Sequence, residues 1–243
     1  MKANMMKAFA AGVLLISAAF SAAAQKGLGL SVGYVSSASI TKDADGDRSA
    51  SPLLNGLRVG ASYDLNITRN LMFQPGVYYS YLTDKRQLGV IEIGDYYIAD
   101  LVNEHFLNMP LHFKYNFEIS DAVTGLYVFA GPTLTVGLAA TSDIGVANKN
   151  SSDYIGNAEF NYYTGAFSCD MGSISQNQLK DYFESQTFRR FDVAMGVGIG
   201  LEILDYLDVK LGYDWGLVNR LSNTDTGSLI RRSQFYVTAG VRF

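Results

Sequence analysis

Along most of the chain after residue 26, apolar and polar side chains alternate with a period of two. In residues 207–215, for example, large apolar side chains alternate with Asp208, Lys210, Gly212 and Asp214. Successive side chains of a β-strand point to opposite faces, so this alternation predicts strands with one apolar and one polar face. Eight segments have the pattern, at residues 27–34, 57–66, 73–81, 104–117, 125–139, 188–203, 207–215 and 235–243.

The length of these strands favours a membrane protein. Extended to the nearest turn residues, they reach ten or more residues, whereas strands of soluble proteins average about 5–6 residues. A tilted strand needs roughly 9–11 residues to cross a bilayer, and a closed barrel leaves no strand edge exposed to lipid. We therefore expect an all-β fold, an eight-stranded antiparallel up-and-down transmembrane β-barrel, apolar outside and polar inside.

The connections between the predicted strands alternate between short and long. Outer-membrane barrels have short periplasmic turns and longer extracellular loops, so the alternation predicts long extracellular loops and two periplasmic termini. The short connections are residues 66–70, 118–124 and 204–205, and the long ones are 37–54, 83–103, 140–187 and 218–230.

A soluble, lipocalin-like barrel is the structural alternative, and it would turn its apolar face inward. Two features favour the membrane barrel. The chain ends on Phe243 after aromatic and aliphatic residues at alternate positions, and the polar faces collect charges of both signs, which can pair inside a barrel. The predicted structural charge network of the lumen is Arg58, Asp64, Lys114, Asp192, Glu202, Asp208, Lys210, Asp214 and Arg242.

The first 24 residues have the three parts of a secretory signal peptide. Lys2 and Lys7 form its charged start, residues 8–20 its apolar run, and the alanines at 22–24 its cleavage sequence. The run is too short for a spanning helix, which needs roughly 20 apolar residues. We expect a signal peptide at 1–24 and an outer-membrane β-barrel domain at 25–243. The formal net charge of −4 argues against a nucleic-acid partner.

Five short motifs, in a fixed order, carry a resemblance to a known family. They are NMPL at 108–111 running into KYNF at 114–117, FAGP at 129–132, GVGIG at 196–200, LGY at 211–213 with GL at 216–217, and GVRF at 240–243. Together they resemble the outer-membrane β-barrel domain common in Bacteroidetes, the PorT-like family. The resemblance implies an integral outer-membrane protein, and it implies that the terminal Phe243 is an assembly signal read by the barrel-assembly machinery.

Two motifs suggest ligand sites, but a strand explains the first better and solvated acidic residues of a loop explain the second better. Gly196, Gly198 and Gly200 resemble a phosphate-binding loop, yet such a loop must open a helix, and these glycines share one face of a strand. Asp43, Asp45 and Asp47 resemble a calcium loop, but the glycine is displaced and the twelfth position is not glutamate. We expect no cofactor and no metal site.

The histidines raise the hypothesis of a hydrolase at the barrel rim, acting on lipid or peptide. His112 lies on a polar face, and His105 lies near the end of a predicted strand. The adjacent Glu104 points to the opposite face of that strand, so it is badly placed to orient His105 as a catalytic base. Cys169 lies in the long connection 140–187, in which residues 174–183 are expected to form a short helix. Long structured loops are usually functional.

The sequence therefore favours a non-enzymatic, porin-like or PorT-like outer-membrane protein with a structural, surface-binding or envelope-accessory role. The alternative is a narrow pore for ions or small solutes, and the rim hydrolase ranks third. An eight-stranded barrel is just wide enough for side chains to fill it, so paired charges predict a filled interior. Expected partners are outer-membrane lipid, the barrel-assembly machinery, and an extracellular ligand or envelope protein.

Overall fold

The computed structural model describes most of the chain after residue 26. No helix in this part of the chain is long and apolar enough to cross a membrane. The predicted signal peptide, Asp43 and Asp45 of the acidic motif, and the predicted helix at 174–183 lie outside the described residues. These are 27–42, 47–51, 53–84, 91–93, 96–117, 125–148, 154–170, 187–204, 206–222 and 228–243.

Thirteen β-strands occur in the described part of the chain. Eight of them are long, and each overlaps one of the alternating segments. They are β1 (Leu28–Lys42), β3 (Leu54–Tyr63), β5 (Leu71–Thr83), β7 (Tyr96–Phe117), β8 (Gly125–Asn148), β11 (Phe191–Ile203), β12 (Leu207–Gly216) and β13 (Leu229–Arg242). Five are shorter: β2 (Arg48–Ala50), β4 (Leu65–Asn66), β6 (Ile91–Ile93), β9 (Tyr154–Asn161) and β10 (Phe167–Cys169).

The eight long strands pair antiparallel in a closed ring, in the order β1-β3-β5-β7-β8-β11-β12-β13 and back to β1. The shorter strands attach to this ring, so the fold contains more than the eight strands predicted. We call the end of the ring at Gly27 and Phe243 the terminal end and the opposite end the loop end. Gly27 N donates to Phe243 O at 2.7 Å, which joins the residue before β1 to the residue after β13.

The strands of the ring are staggered. Pairing partners traced once around the ring from Phe129 of β8 return to Ala140, eleven residues further along the same strand. One of the eleven, Leu138, is a bulge between two regular pairs. This stagger tilts the strands and fixes the diameter of an eight-stranded ring, which leaves an interior that side chains fill.

The apolar faces point outward. On β12, Leu211 and Trp215 are exposed on the outer surface, whereas Lys210, Gly212 and Asp214 between them are buried inside the ring. The other ring strands repeat this arrangement, which is the reverse of a soluble barrel with an apolar interior. The predicted orientation of the two faces is confirmed.

Several predicted connections are partly strand, which corrects their boundaries. β7 begins at Tyr96 rather than near 104, β8 continues to Asn148, and β13 begins at Leu229. Beyond the ring, β10, β9, β8, β7 and β6 form a projecting sheet. Its core is a separate apolar cluster, made of Ala140, Ile144, Val146, Ala158, Phe160 and Tyr162.

The bulge at Leu138 explains the projecting sheet. Within the ring, the even-numbered residues of β8 form its exposed outer face. After the bulge, the even-numbered Ile144 and Val146 are buried instead, because one extra residue reverses the side to which each position points. The sequence alternation continues unchanged, but its apolar residues now pack into the core of the projecting sheet.

Candidate functional site: the charged interior of the ring

All nine residues of the predicted charge network lie on the inner face of the ring. Five of them meet at the terminal end, and we call this group the terminal-end cluster. Lys114 Nζ lies 3.3 Å from Asp64 Oδ2 and also contacts Glu202. Arg242 Nη2 lies 3.0 Å from Asp64 Oδ2 and 3.5 Å from Asp208 Oδ2, and Nη1 pairs with Glu202. Each cation therefore bridges carboxylates from different strands.

Neutral side chains complete the hydrogen bonding of this cluster. The Tyr127 hydroxyl donates to Asp208 Oδ2 at 2.7 Å, and Gln74 Nε2 donates to Asp64 Oδ1 at 2.6 Å. Lys114 Nζ also lies 4.1 Å from the centroid of the Tyr127 ring, where a cation is attracted to the π-face. Buried charges are tolerated when they are paired and hydrogen-bonded in this way.

Further up the ring, Arg58, Lys210 and Asp214 form a middle cluster. Arg58 Nη1 lies 3.6 Å from Asp214 Oδ2, and its Cζ lies 4.0 Å from the centroid of the Tyr236 ring. Lys210 donates to the side-chain oxygen of Gln74, and its Nζ lies 4.6 Å from the centroid of the Phe129 ring. Aromatic faces thus contribute to holding cations that have few carboxylate contacts.

A third group, the loop-end cluster, closes the other end. Arg220 Nη2 lies 3.0 Å from Glu104 Oε1, and Arg232 Nη2 lies 3.7 Å from Asp192 Oδ2. Cζ of Arg232 lies 3.7 Å from the centroid of the Phe106 ring. Only Asp192 of this cluster belongs to the predicted network.

Sequence reasoning missed Glu104, Arg220 and Arg232 for different reasons. Arg232 lies on the inner face of β13, but the alternation of apolar and polar residues in this strand is regular only from Phe235 onward. Glu104 lies at the start of a predicted strand beside His105, where the sequence suggests only the hypothesis of a catalytic pair. Arg220 follows β12 in an irregular connection, where no periodicity indicates which way a side chain points. Only Arg232 could have been found from the sequence, by extending the predicted strand β13 toward its N-terminus.

Burial and neighbouring charges shift the pKa values of side chains that lie in connections near this cluster. Burial is the largest single effect and disfavours the charged form of Arg220, but the charge and hydrogen bond of Glu104, together with Tyr163 and Asp192, outweigh it, so the pKa of Arg220 lies above its usual value. Burial raises the pKa of Tyr163, which lies in the turn after β9. At neutral pH Arg220 is charged and Tyr163 is protonated.

The interior charges are balanced within these clusters. The terminal-end and middle clusters together hold four cations, Arg58, Lys114, Lys210 and Arg242, and four carboxylates, Asp64, Glu202, Asp208 and Asp214. The loop-end cluster holds two of each sign. A cavity beside Lys210 and Arg242 has a volume of about 10 Å³, which is room for about one water molecule. Paired side chains occupy most of the space there.

Inward-facing glycines make room for the aromatic rings. A Cβ on Gly200 would lie 2.2 Å from Cζ of Tyr127, and one on Gly198 would lie 2.3 Å from Cζ of Phe129. A Cβ on Gly196 would lie 2.5 Å from Asp214 Oδ1. The prediction that these glycines are small inward-facing residues of a strand, rather than a phosphate loop, is confirmed.

The two histidines lie on opposite sides of the ring wall. His112 is buried inside, stacked on Phe129 at 4.9 Å between centroids, with Nε2 3.3 Å from Thr133 Oγ1. His105 is on the outer side, with Nδ1 2.5 Å from the Tyr79 hydroxyl. The carboxylate next to it in sequence, Glu104, points inward to Arg220. The structure does not bring His105 and Glu104 together as a catalytic pair.

The remaining predicted positions lie at the periphery. Phe243 N donates to Leu28 O at 2.9 Å at the terminal end. Cys169 is in β10 and packs against the apolar cluster of the projecting sheet. Asp47 is exposed beside β2. Among the described residues, no group of three or more His, Cys, Asp or Glu side chains is arranged to hold a metal ion.

A closed ring of long strands, apolar outside and charged inside, defines the class of integral outer-membrane barrel proteins. The sequence matches the family described as outer membrane protein beta-barrel domain over residues 8–243, and the chain belongs to that family. Membership implies that the protein is integral to the outer membrane.

Three bacterial proteins are among the solved structures to which the chain is similar. Ail of Yersinia pestis is 14% identical, with 90% of this chain and 100% of that chain covered and a TM-score of 0.36. Neisserial surface protein A is 10% identical, with coverages of 88% and 97% and a TM-score of 0.39. The outer membrane protease OmpT of Escherichia coli is 10% identical, with coverages of 89% and 96% and a TM-score of 0.37.

Membership of the family follows from the match over residues 8–243. The search of curated proteins finds no significant match.

Proposed function

We propose that this protein is a non-enzymatic, PorT-like outer-membrane barrel of the kind found in Bacteroidetes. Its interior is a structural core of paired charges, and its loop end carries the biological interaction. The observation that carries the proposal is the balanced set of ion pairs and cation–π contacts inside the ring. Charges fixed by partners across the lumen stabilise a closed barrel and leave little space for a permeating solute.

The proposed orientation follows the usual arrangement of such barrels, with short turns in the periplasm. The terminal end then faces the periplasm, and the loop end with the projecting sheet faces the outside. A signal peptide at 1–24 directs export, and Phe243 is recognised by the barrel-assembly machinery during insertion. A partner outside the cell, either an envelope protein or a soluble ligand, is expected to bind the projecting sheet of β6 to β10.

A narrow pore is the second candidate, and one observation favours it. Several buried polar atoms along the middle of the ring have no hydrogen-bond partner, including His112 Nδ1, Asp214 Oδ2 and the Tyr236 hydroxyl. Such atoms are usually satisfied by water. A connected file of water molecules would give a small conductance.

Single-channel recording distinguishes the two candidates. The refolded mature chain is inserted into a planar bilayer, and insertion is verified by resistance of the barrel to added protease. The structural proposal predicts inserted protein with no current steps. Reproducible steps of constant size would replace it with the pore.

A further inference from the structure

Three cations are neighbours on the outer surface of the ring at its loop end. Lys42 ends β1, Arg48 begins β2, and Arg231 belongs to β13. Arg48 is directly opposite Lys42 in the pairing of β1 with β2, and Arg231 is opposite Ile40, two residues before Lys42. Residues that are opposite each other, or offset by two, share one face of a sheet, and Ile40 is exposed on the outer surface. The three cations therefore form one outward-facing group, which we call the basic patch.

The basic patch lacks a carboxylate partner in the described part of the chain. No ion pair between described residues includes Lys42, Arg48 or Arg231. The buried Nε of Arg231 also finds no hydrogen-bond partner there. Like charges at directly opposite positions of two strands destabilise the pairing, so this arrangement of cations favours the binding of an anion.

The acidic residues nearest in sequence lie in the connection between β1 and β2, which contains Asp43, Asp45 and Asp47. Asp47, the one within the described residues, is exposed and forms no ion pair with the basic patch. Asp143 and Glu159 are exposed and opposite each other on β8 and β9, in the projecting sheet. Because β11 and β12 lie between β8 and β13, these two carboxylates are on another side of the ring.

The basic patch lies directly beyond the apolar surface of its strands. On β13, the outward-facing residues of 235–243 are apolar, and Arg231 is two outward positions further along. On β1, Ile40 is exposed and Lys42 is the next outward-facing residue. The apolar stretch of β13 has about the length that a tilted strand needs to cross a bilayer. The basic patch is therefore at the depth of the lipid headgroups.

The single tryptophan of the chain lies beside the basic patch. Trp215 of β12 is opposite Ser233, two residues from Arg231, and it is 56% exposed on the outer surface. Tryptophan is enriched where the bilayer meets water, because its ring lies well at the depth of the headgroups. Phe235, also exposed on this surface, lies on the bilayer side of Arg231. Cations above exposed aromatic rings match the two parts of an anionic lipid.

We propose that the basic patch binds a lipid of the loop-end leaflet whose headgroup exposes a phosphate group. The guanidinium groups of Arg48 and Arg231 can each donate two hydrogen bonds to phosphate oxygens, and the ammonium group of Lys42 adds a third positive charge. The acyl chains of the lipid lie against Trp215. This site is on the outer surface, so it goes beyond the proposed function and does not depend on whether the lumen conducts.

Quenching of Trp215 by brominated lipids measures which lipid occupies the basic patch. The mature chain is refolded in phosphatidylcholine vesicles in which a small fraction of the lipid has brominated acyl chains, either as phosphatidic acid or as phosphatidylcholine. Each Lys or Arg near a membrane surface strengthens the attraction for anionic lipid by about fivefold. Brominated phosphatidic acid should therefore quench as strongly as an about tenfold larger fraction of brominated phosphatidylcholine. Equal quenching by equal fractions of the two lipids would overturn the proposal.

Charge-removing variants test whether the basic patch causes the preference. Arg231→Gln should lower the preference for phosphatidic acid about fivefold, and the triple variant Lys42→Gln/Arg48→Gln/Arg231→Gln should abolish it. Arg69→Gln is the matched control, because it removes an exposed arginine from the turn before β5 at the terminal end, and it should leave the preference unchanged. Heat-modifiable gel mobility verifies that each variant is folded.

Three results would contradict a lipid site at the basic patch. A preference that survives the triple variant would mean that the aspartates of 43–47 already neutralise these cations. An equal loss in Arg69→Gln would mean that the barrel attracts anionic lipid only through its overall charge distribution. Loss of the preference in excess inorganic phosphate would assign the basic patch to a soluble anion, whereas an unchanged preference supports the lipid.

Discussion

Glycine positions decide which aromatic side chains the interior of the ring can hold. Tyr127 lies over the missing side chain of Gly200, and from there its hydroxyl reaches Asp208. Tyr236 occupies the corresponding space over Gly212. The sequence shows that these glycines lie on the polar faces of their strands. The aromatic side chain that fills the space over each glycine comes from a neighbouring strand. That pairing follows from the register between neighbouring strands, in which Gly200 lies opposite Tyr127 and Gly212 opposite Tyr236.

Alanine at Gly200 should destabilise the barrel. The added Cβ would lie 2.2 Å from Cζ of Tyr127, and overpacking of this kind costs about 1–3 kcal/mol. The free energy of unfolding is measured by urea titration in lipid vesicles. Gly145→Ala is the matched control, because its Cβ would come no closer than 3.8 Å to another atom, Ala99 O. Equal stability of the two variants would show that Tyr127 moves aside without cost.

The strand β8 shows how one residue changes the role of an element. Its first half belongs to the ring and pairs with β11, and its second half pairs with β9 in the projecting sheet. The bulge at Leu138 separates the two halves and reverses the side to which the even-numbered residues point. Because alternation by itself does not reveal a bulge, the sequence indicated a loop where the structure has strand.

Deleting Leu138 should disrupt the projecting sheet and spare the ring. Without the bulge, Ile144 and Val146 would turn to the outer side, and their apolar cluster would be lost. We expect proteolysis within 141–170 to become at least about tenfold faster, while the protein keeps the heat-modifiable gel mobility of a folded barrel. Leu138→Ala retains the bulge and should stay resistant. If the deleted chain is as resistant as the unaltered one, the bulge does not set the orientation of the sheet.

At the scale of the whole molecule, the ring has paired charges on its inner face and apolar side chains on its outer face. The outer surface of the ring is contributed by exposed aliphatic and aromatic residues on all eight long strands. On the inner surface, the terminal-end and middle clusters together hold four cations and four carboxylates, and the loop-end cluster holds two of each. Lipid covers the first surface, and mutual neutralisation stabilises the second.

Arginine on the outer surface should destabilise the barrel according to depth. Leu211 lies in the middle of β12 and is 42% exposed, so Leu211→Arg should cost roughly 2–4 kcal/mol in a lipid bilayer. Tyr206 lies at the terminal end beside the start of β12, and Tyr206→Arg should cost about 0–1 kcal/mol. Unfolding titrations in vesicles measure both. Similar costs at the two positions would contradict the assigned depth.

Removing lysines from the interior should open a path for ions. The double variant Lys114→Ala/Lys210→Ala leaves the four carboxylates of the terminal-end and middle clusters with only two cations, Arg58 and Arg242. It also removes two long side chains that fill the lumen. We expect current steps selective for cations in planar bilayers. Lys42→Ala, at the exposed end of β1, is the control and should remain silent. An inserted double variant without conductance would argue against a lumen closed by charge.

The alternation of residue types determined most of the fold by itself. In the segment around Lys210, for example, alternate residues are apolar and the residues between them are mostly charged. This pattern indicates a β-strand whose apolar face is covered by lipid. The positions of the nine network residues on the inner face follow from the same periodicity, because the side of a strand is a local property of odd and even positions.

Which charges meet was decided by the tertiary structure alone. Arg242 contacts Asp64 and Asp208 because the stagger of eight strands brings three distant segments to one level. Arg220 belongs to the interior because its connection folds back over the mouth of the ring, and Ile144 is buried because a bulge lies before it. These outcomes depend on register, closure and irregular backbone, which are set by contacts between residues far apart in sequence. Periodicity along one strand carries no information about them.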